Sequence, residues 1–230
     1  MSSILDNVKY VQEEIEKAAQ TRGSSLGDIS LVCATKTQTS EKVQEAIGGG
    51  IHICGENRVQ EMLEKQQQGA YHGAKLHFIG HLQKNKVRKV LEVASLVQSV
   101  DSLELIQSID RIAGELGKKQ EILLQVNIGQ DDNKFGFDHW ELPPILENCG
   151  EFSNILVKGL MTMPPFSANL VETRGYFAKM YQVFVDIMAK KYHNVNMDYL
   201  SMGLSHDFRE AILEGANMVR VGTAVFGQRD

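Results

Sequence analysis

Eight short runs rich in aliphatic and β-branched residues recur along the chain, and helical patterns lie between them. The strand-like runs are Ile29–Lys36, Ile51–Gly55, Leu76–Gly80, Leu96–Val100, Ile122–Ile128, Val157–Met163, Tyr199–Gly203 and Met218–Gly222. The helical patterns are Ser40–Ile47, Asn57–Gln66, Lys84–Val93, Ser102–Leu116, His139–Asn148, Leu170–Lys191 and His206–Leu213. Strands that alternate with helices build right-handed βαβ units around a parallel sheet. Because eight such strands can close a barrel, this order predicts an α/β protein with a single (β/α)8 TIM barrel.

An additional helix is predicted before the first strand. Ile4, Val8, Val11 and Ile15 are spaced by four, three and four residues, as on one face of a helix that ends near Gly23. The chain has no Pro/Ser-rich linker, repeat or low-complexity segment, so all 230 residues are expected to form one domain. An open doubly wound sheet is the alternative architecture. The turn after the first strand reads KTQTSE, however, and lacks the glycines of a dinucleotide site.

Charge and cysteine content narrow the class of partner. The formal net charge of −5 argues against binding to nucleic acid or to anionic membrane surfaces. The basic stretch that includes Lys84 and Arg88 is typical of a solvated helix face. Cys33, Cys54 and Cys149 form no CxxC pair, which favours buried reduced thiols. The first residues lack the layout of a signal peptide, and no apolar run reaches the roughly 20 residues of a membrane span. A soluble cytoplasmic protein is therefore expected.

The first predicted strand, which reads ISLVCATK, ends on Lys36. One interpretation is that the strand leaves the core there and the lysine meets water, as lysines at element ends generally do. The other interpretation is that Lys36 is held in a pocket for its chemistry. Because the active site of a (β/α)8 barrel lies at the carboxyl ends of the strands, the residues at the other strand ends bear on this choice.

Small and hydroxyl residues follow the seventh and eighth predicted strands, where barrels of this type frequently bind phosphate. A phosphate site needs backbone N–H groups that can approach the anion, hydroxyl donors and a helix N terminus. The segment SMGLSHD supplies Ser201, Gly203 and Ser205, and the end of the last strand supplies Gly222 and Thr223. An ordinary helix cap is the alternative use of such residues.

Arg220 lies within the apolar run MVRVGTAVF and, by strand alternation, faces the same side as Met218 and Gly222. A buried guanidinium needs a partner. It could form a structural ion pair, or it could direct its charge at a bound ligand. Asp207 would oppose an anion, so it is expected to face away from the phosphate and to act as a cap.

Metal and hydrolase chemistry is not indicated. His52, His77 and His81 form no helical HxxxH pair and have no carboxylate at ligand spacing, so no metal site is predicted. The chain also lacks a Gly-x-Ser-x-Gly elbow. A desolvated lysine beside a phosphate site instead suits a Schiff base with a phosphorylated aldehyde. Pyridoxal 5′-phosphate (PLP) fits this description, and the sugar phosphates of Schiff-base aldolases fit it less closely.

Six segments in order resemble those of one family. They are ATKTQ, GENRVQE at 55–61, HFIGHLQKNK at 77–86, GLMTM at 159–163, SMGLSHD at 201–207 and VRVGTAVFG at 219–227. These segments are similar to those of the pyridoxal-phosphate homeostasis proteins, the YggS/PROSC family. The resemblance runs from about residue 29 to the end of the chain. It implies a barrel of the PLP-binding type, like the N-terminal domain of bacterial alanine racemase.

The resemblance also implies roles for individual residues. Lys36 would hold PLP as a Schiff base. Arg220 would face the pyridine nitrogen, where a cation disfavours protonation of the ring and weakens its capacity as an electron sink. Asn57 and His81 would lie near the ring, and Met161 would border it. The phosphate would be held by Ser201, Ser205, Gly222 and Thr223.

Two details of the resemblance stay open. Lys134, in DDNKFGF, matches a family lysine near the site that has been considered a second aldehyde acceptor. The alternative is a loop lysine in water beside Asp131 and Asp132. The chain also departs from the family's SMGMS-D-D pattern at Leu204 and at His206. His206 could add a charge that depends on pH near the phosphate.

Two functions remain. The resemblance implies a non-enzymatic carrier that holds PLP, takes part in its intracellular homeostasis and passes it to apo-enzymes. The alternative is a PLP-dependent amino-acid racemase, which needs an acid/base on each face of the substrate. Alanine racemase takes its second base, a tyrosine, from a dimer partner and has an extra β-domain. Here the chain ends seven residues after Thr223, and Tyr199 is predicted to begin the seventh strand, at the wrong end. A carrier, expected to be a monomer, is therefore the prediction.

Overall fold

The structure is a computed structural model that describes residues 3–131, 133–165 and 169–227. Over these residues, eight parallel strands close into a barrel in chain order, and the last strand pairs with the first. The strands are β1 Ser30–Ala34, β2 Ile53–Glu56, β3 Lys75–Phe78, β4 Leu96–Val100, β5 Gln120–Val126, β6 Ile155–Thr162, β7 Val195–Ser201 and β8 Met218–Val221. The predicted (β/α)8 barrel is confirmed.

Helices lie between the strands and cover the outside of the barrel. They are α1 Ile4–Arg22, α2 Ser40–Gly48, α3 Val59–Gln67, α4 Val87–Leu91, α5 Leu103–Glu115, α6 Leu142–Cys149, α7 Leu170–Met188, α8 Phe208–Leu213 and α9 Thr223–Phe226. The predicted N-terminal helix is confirmed as α1. A capping box of Ser3 and Asp6 fixes its first turn, and Gly23 ends it in the left-handed conformation with a φ of 86°.

Two apolar clusters form the core. The larger lies between the strands and the helices, where helices such as α5 and α7 pack on the outer face of the sheet. The smaller fills the barrel interior and consists of Val32, Leu96, Leu123, Met161 and Met218. Val32 pairs in register with Arg220. Side chains of residues that pair in register on neighbouring strands point to the same face of a sheet. Arg220 therefore points into the barrel interior, as Val32 does.

Two elements differ from the sequence prediction. Strand β7 begins at Val195 and not at Tyr199, because Asn196 and Asp198 face outward and interrupt the apolar run that identifies a buried strand. Tyr199 consequently lies inside the strand, and its ring packs against the inner cluster. A short helix, α9, follows β8 directly and has no counterpart in the predicted elements.

Candidate functional site

Lys36 follows the end of β1 in a four-residue turn. The turn is closed by a hydrogen bond of 3.1 Å from the Gln38 N–H to the Thr35 carbonyl oxygen. Lys36 is half-buried. It lines a small depression of about 30 Å³ together with Gly222 and Thr223, which follow β8. The lysine therefore faces the strand end that carries two of the predicted phosphate-binding residues.

The loop after β8 directs two backbone donors at one oxygen atom. The N–H groups of Gly222 and Ala224 donate to Ser205 Oγ at 3.0 and 3.3 Å. A Cβ atom at position 222 would lie 3.1 Å from the Ala34 carbonyl oxygen, so glycine lets the ends of β8 and β1 pack closely. Thr223 is exposed beside this loop. Ser205, Gly222 and Thr223 are thus brought together on the side of the barrel that carries Lys36.

Gly203 shapes the loop between β7 and α8. Its φ of +93° lies in the left-handed region, and a Cβ atom there would lie 2.6 Å from Ala211 Cβ. A larger side chain is therefore excluded for two separate reasons. The Gly203 carbonyl accepts the Arg220 N–H at 3.0 Å, which ties the end of β7 to β8.

Asp207 differs from its predicted role. It stands at the N-cap position of α8, but its side chain makes no capping hydrogen bond there. Its Oδ1 atom instead accepts the Leu204 N–H at 2.6 Å, and its Oδ2 atom lies 3.3 Å from His206 Nε2. Burial raises the pKa of Asp207, and the Leu204 N–H opposes this shift. Asp207 lines the cleft that Arg220 also lines, whereas Gly222 and Thr223 line the depression beside Lys36.

Ser201 lies inside the barrel and is fully buried. Its Oγ atom donates to Gln98 Oε1 at 2.7 Å and accepts from Arg220 Nη1 at 2.5 Å. A second guanidinium nitrogen, Arg220 Nη2, donates to the Thr162 carbonyl oxygen at 2.8 Å. The structure therefore places Ser201 with Arg220 and apart from the donors that surround Ser205.

Arg220 keeps its charge although it is only 2% exposed. Burial lowers its pKa to about 10, and the nearby Asp207 charge opposes that shift. Among the described residues it forms no ion pair with a carboxylate, and a hydroxyl and a carbonyl group hold it instead. A guanidinium has five N–H donors, so Arg220 can also direct donors and positive charge at a ligand in the cleft that it lines.

Asn57 and His81 lie at the ends of β2 and β3, next to each other. A Cβ atom at Gly80 would lie 2.1 Å from the Asn57 carbonyl oxygen, which shows how closely the two loops approach. Asn57 Oδ1 is buried and has no hydrogen-bond partner in the described structure. The His81 ring stacks on Phe135 with centroids 3.8 Å apart, and its Nδ1 atom lies 2.9 Å from Asp101 Oδ2.

The cleft over the other half of the barrel mouth has a volume of about 280 Å³. Thr162, Gly203 and Arg220 contribute to its walls. Met161 does not reach it, because its side chain is fully buried in the inner cluster below. Met161 therefore supports the floor of the site instead of bordering the cleft.

Lys134 also lines this cleft. Its Nζ atom donates to the carbonyl oxygens of Met163 and Pro164 at 3.2 and 2.6 Å. Burial lowers its pKa, with the charge of Asp131 acting in the opposite direction. Lys134 is a partly buried loop lysine held by two carbonyl groups. Asp132, the other acidic residue expected beside it, lies outside the described residues.

Several residues that support the site have no counterpart in the sequence prediction. Gln98 sits in the middle of a strand whose five residues are all buried, and that position is the signal that could have identified it. Glu56 and Lys65 form a buried ion pair of 2.7 Å behind the Lys36 turn. Lys65 follows Met62 by three residues on the buried face of α3, a spacing that marks it as inward-facing.

The donor set fits a phosphorylated aldehyde with an aromatic ring. Lys36 provides an amine, and the Gly222 and Ala224 N–H groups converge on Ser205 Oγ in a loop of small and hydroxyl residues, the composition that suits a phosphate site. Arg220 provides a buried cation, and Asn57 Oδ1 provides an acceptor that the protein leaves unpaired. Within the described ranges, no three His, Cys, Asp or Glu side chains cluster as ligands for a metal ion.

The protein is a (β/α)8 barrel with a lysine after β1 and a loop of glycine and hydroxyl residues after β8. Residues 7–230 match the family described as alanine racemase, N-terminal domain, which gives the class of protein. No helix in the described part of the chain has the length and apolar character needed to cross a membrane.

Similar proteins narrow this class. A pyridoxal phosphate homeostasis protein of Aquifex aeolicus is 37% identical over 97% of this chain and 97% of its own length. A protein of the same name in Pseudomonas aeruginosa is 35% identical over 100% of this chain and 97% of its own. The structure of PipY from Synechococcus elongatus PCC7942 with PLP bound is 33% identical, with a TM-score of 0.82, and covers 93% of this chain and 100% of that one. The chain belongs to the family of pyridoxal phosphate homeostasis proteins, and the resemblance seen in the sequence is confirmed.

Proposed function

We propose that this protein binds PLP at the carboxyl end of the barrel, attached to Lys36, and takes part in intracellular PLP homeostasis without catalytic turnover. The observation that carries the proposal is the common depression lined by Lys36, Gly222 and Thr223. An amine and a phosphate-binding loop that face each other across two paired strands suit a ligand with an aldehyde and a phosphate. The PLP bound to the related PipY supports the same assignment.

PLP supplies the aldehyde, which condenses with a lysine amine with loss of water. The protein's residues bind and orient it. Lys36 provides the amine, and the loop of Gly222 and Thr223 holds the phosphate together with the Ser205 hydroxyl, which the Gly222 and Ala224 N–H groups keep in place. Ser201, included among the phosphate residues from the sequence, instead holds Arg220 in this proposal because its hydroxyl is bonded to that guanidinium.

The remaining predicted residues surround the ring. Arg220 stays protonated and faces the pyridine nitrogen, where its charge disfavours protonation of the ring. Asn57 and His81 border the ring from the ends of β2 and β3, and Met161 supports it from below. Gly203 keeps the loop between β7 and α8 close to Arg220.

A carrier is favoured over a racemase by the residues around the two clefts. Two-base racemisation of the alanine racemase type needs a tyrosine as its second proton-transfer group, opposite Lys36. Tyrosine does not occur among the described residues that line either cleft, and Tyr199 lies deeper in the barrel, against the inner cluster. We further propose a cytoplasmic monomer that passes PLP to apo-enzymes.

Absorbance spectroscopy tests the proposal. Protein mixed with PLP is expected to turn yellow and to lose the colour on borohydride reduction, and Lys36→Ala is expected to abolish the band. Lys42→Ala, which removes an exposed lysine of α2, is the matched control. A colourless wild-type protein that takes up no PLP would contradict the proposal. Amino-acid racemisation at about 1 per second or faster would instead support the racemase.

A further inference from the structure

A buried charged cluster lies behind the turn that carries Lys36. Lys65 Nζ donates to Glu56 Oε1 at 2.7 Å, to Glu61 Oε1 at 2.6 Å and to the Thr35 carbonyl oxygen at 2.6 Å. An ammonium group has three donors, so these contacts use all of them. Lys65 is 5% exposed. The Lys65 side chain therefore points into the protein and does not lie on the solvated face of α3.

The same cluster holds both chain neighbours of Lys36. The Thr35 hydroxyl donates to Glu56 Oε1 at 2.6 Å, and the Thr37 N–H donates to Glu61 Oε1. Lys36 thus lies between two residues whose polar groups are fixed from β2 and α3. The Lys36 side chain itself lines the depression beside Gly222 and Thr223.

The backbone conformation of Thr37 explains what its contact with Glu61 does. Its φ of +63° lies in the left-handed region, which β-branched residues rarely adopt because of steric crowding. Relaxation of Thr37 would rotate the peptide that joins it to Lys36 and would redirect the lysine. A hydrogen bond from its N–H to a charged acceptor is stronger than one to a neutral acceptor, so Glu61 opposes that relaxation.

We infer that Glu56, Glu61 and Lys65 are positioning residues that hold the Lys36 amine in the direction needed for attachment of PLP. They act through Thr35 and Thr37. The inference rests on the proposed attachment at Lys36, in which the amine condenses with the aldehyde and one water molecule leaves.

Glu61→Ala is the primary variant, because the Glu61 side chain is partly exposed and Lys65 keeps Glu56 as a partner. We expect attachment of PLP to be about ten-fold slower or more, since small displacements of a reacting group have large effects on rate. Affinity for pyridoxine 5′-phosphate, which has the ring and phosphate but no aldehyde, should stay within about two-fold of wild type, as expected when binding contacts are kept. Glu61→Gln keeps an acceptor for Thr37 and should recover part of the rate.

Glu64→Ala is the matched control, because it removes the same charge from the exposed face of the same helix. It should attach PLP at the wild-type rate. Without any cofactor, amide hydrogen exchange at Thr37 should be about ten-fold faster or more in Glu61→Ala than in Glu64→Ala, because its hydrogen bond is lost.

The outcomes separate the inference from the proposed function. Equal attachment rates in Glu61→Ala and Glu64→Ala would overturn the inference and leave the function intact. An equal loss for PLP and for pyridoxine 5′-phosphate would also overturn it, because the cluster would then only maintain the fold. A wild-type protein that never attaches PLP would refute the proposed function, and exchange at Thr37 would still report whether Glu61 holds the turn.

Discussion

Arg220 Nη1 and Ser201 Oγ lie 2.5 Å apart inside the barrel. The same hydroxyl donates to Gln98 Oε1 at 2.7 Å, and Gln98 Nε2 lies 3.0 Å from His77 Nδ1. A chain of hydrogen bonds therefore crosses the barrel interior from Arg220 to His77. It holds the guanidinium by neutral groups and so leaves its positive charge available to a ligand.

These hydrogen bonds distinguish Ser201 from Ser205, although the two serines look equivalent in the segment SMGLSHD. We expect Ser201→Ala to lower the free energy of unfolding by about 2 kcal/mol, because it leaves buried polar atoms of Arg220 and Gln98 unpaired. We expect Ser205→Ala to weaken PLP binding by about ten-fold, the effect of one hydrogen bond to a charged group. Urea unfolding and equilibrium titration with PLP measure the two effects. Equal losses of PLP affinity in both variants would contradict the separation.

His77 makes stability depend on pH. Burial, with a smaller contribution from Lys75, lowers its pKa from 6.5 to about 3, so the ring stays neutral in the folded protein at pH values where the unfolded chain binds a proton. The stabilising contribution of neutral His77 is therefore fully present above pH 6.5 and is lost as the pH falls toward 3. We expect the free energy of unfolding to fall by about 2 kcal/mol through His77 between about pH 7.5 and pH 5.

Urea unfolding of wild type and His77→Gln at those two pH values measures this contribution. The variant keeps an acceptor for Gln98 but has no titrating ring, so its stability should fall less on acidification. His72→Gln, which changes an exposed histidine, should keep the wild-type dependence. The same acid-induced loss in all three proteins would show that His77 does not titrate as expected.

The barrel could be predicted because the buried parts of its strands are short apolar runs. The start of β7 could not, since Asn196 and Asp198 alternate outward there and give no apolar run. The positions of Lys36, Gly222 and Ser205 could be predicted from the rule that sites form at the carboxyl ends of barrel strands. Their proximity depends on the register of β1 with β8 and on a close contact at Gly222.

The supporting residues are harder to find in a sequence. Glu61 and Lys65 are four residues apart, a spacing that ordinarily indicates an ion pair on a solvated helix face. Only the fold turns that face toward Glu56 and the Lys36 turn. Ser201 similarly lies near phosphate-type residues in the sequence, but its strand position points the hydroxyl into the barrel, toward Gln98.

The three cysteines are expected to resist alkylation in the folded protein. All are free and buried, and burial raises the pKa of Cys54 and of Cys149 to about 12 and that of Cys33 further. Because the thiolate is the reactive form, iodoacetamide at about pH 8 should label none of them without denaturant and all three in urea. Mass spectrometry counts the labels. Rapid labelling of the folded protein would contradict the assigned burial.

Lys134 is predicted to be the second site of PLP attachment. Lys134 lines the cleft that Arg220 also lines, and burial lowers its pKa, so more of the amine is unprotonated than in an exposed lysine. In the Lys36→Ala variant, incubation with PLP followed by borohydride should give a slowly formed adduct that peptide mass spectrometry locates at Lys134. Lys118 is the internal control, because burial also lowers its pKa but its Nζ atom donates to the Leu91 carbonyl, outside the lining of the cleft. Equal labelling of Lys118 and Lys134 would mean that reactivity follows pKa alone and that the cleft contributes nothing to it.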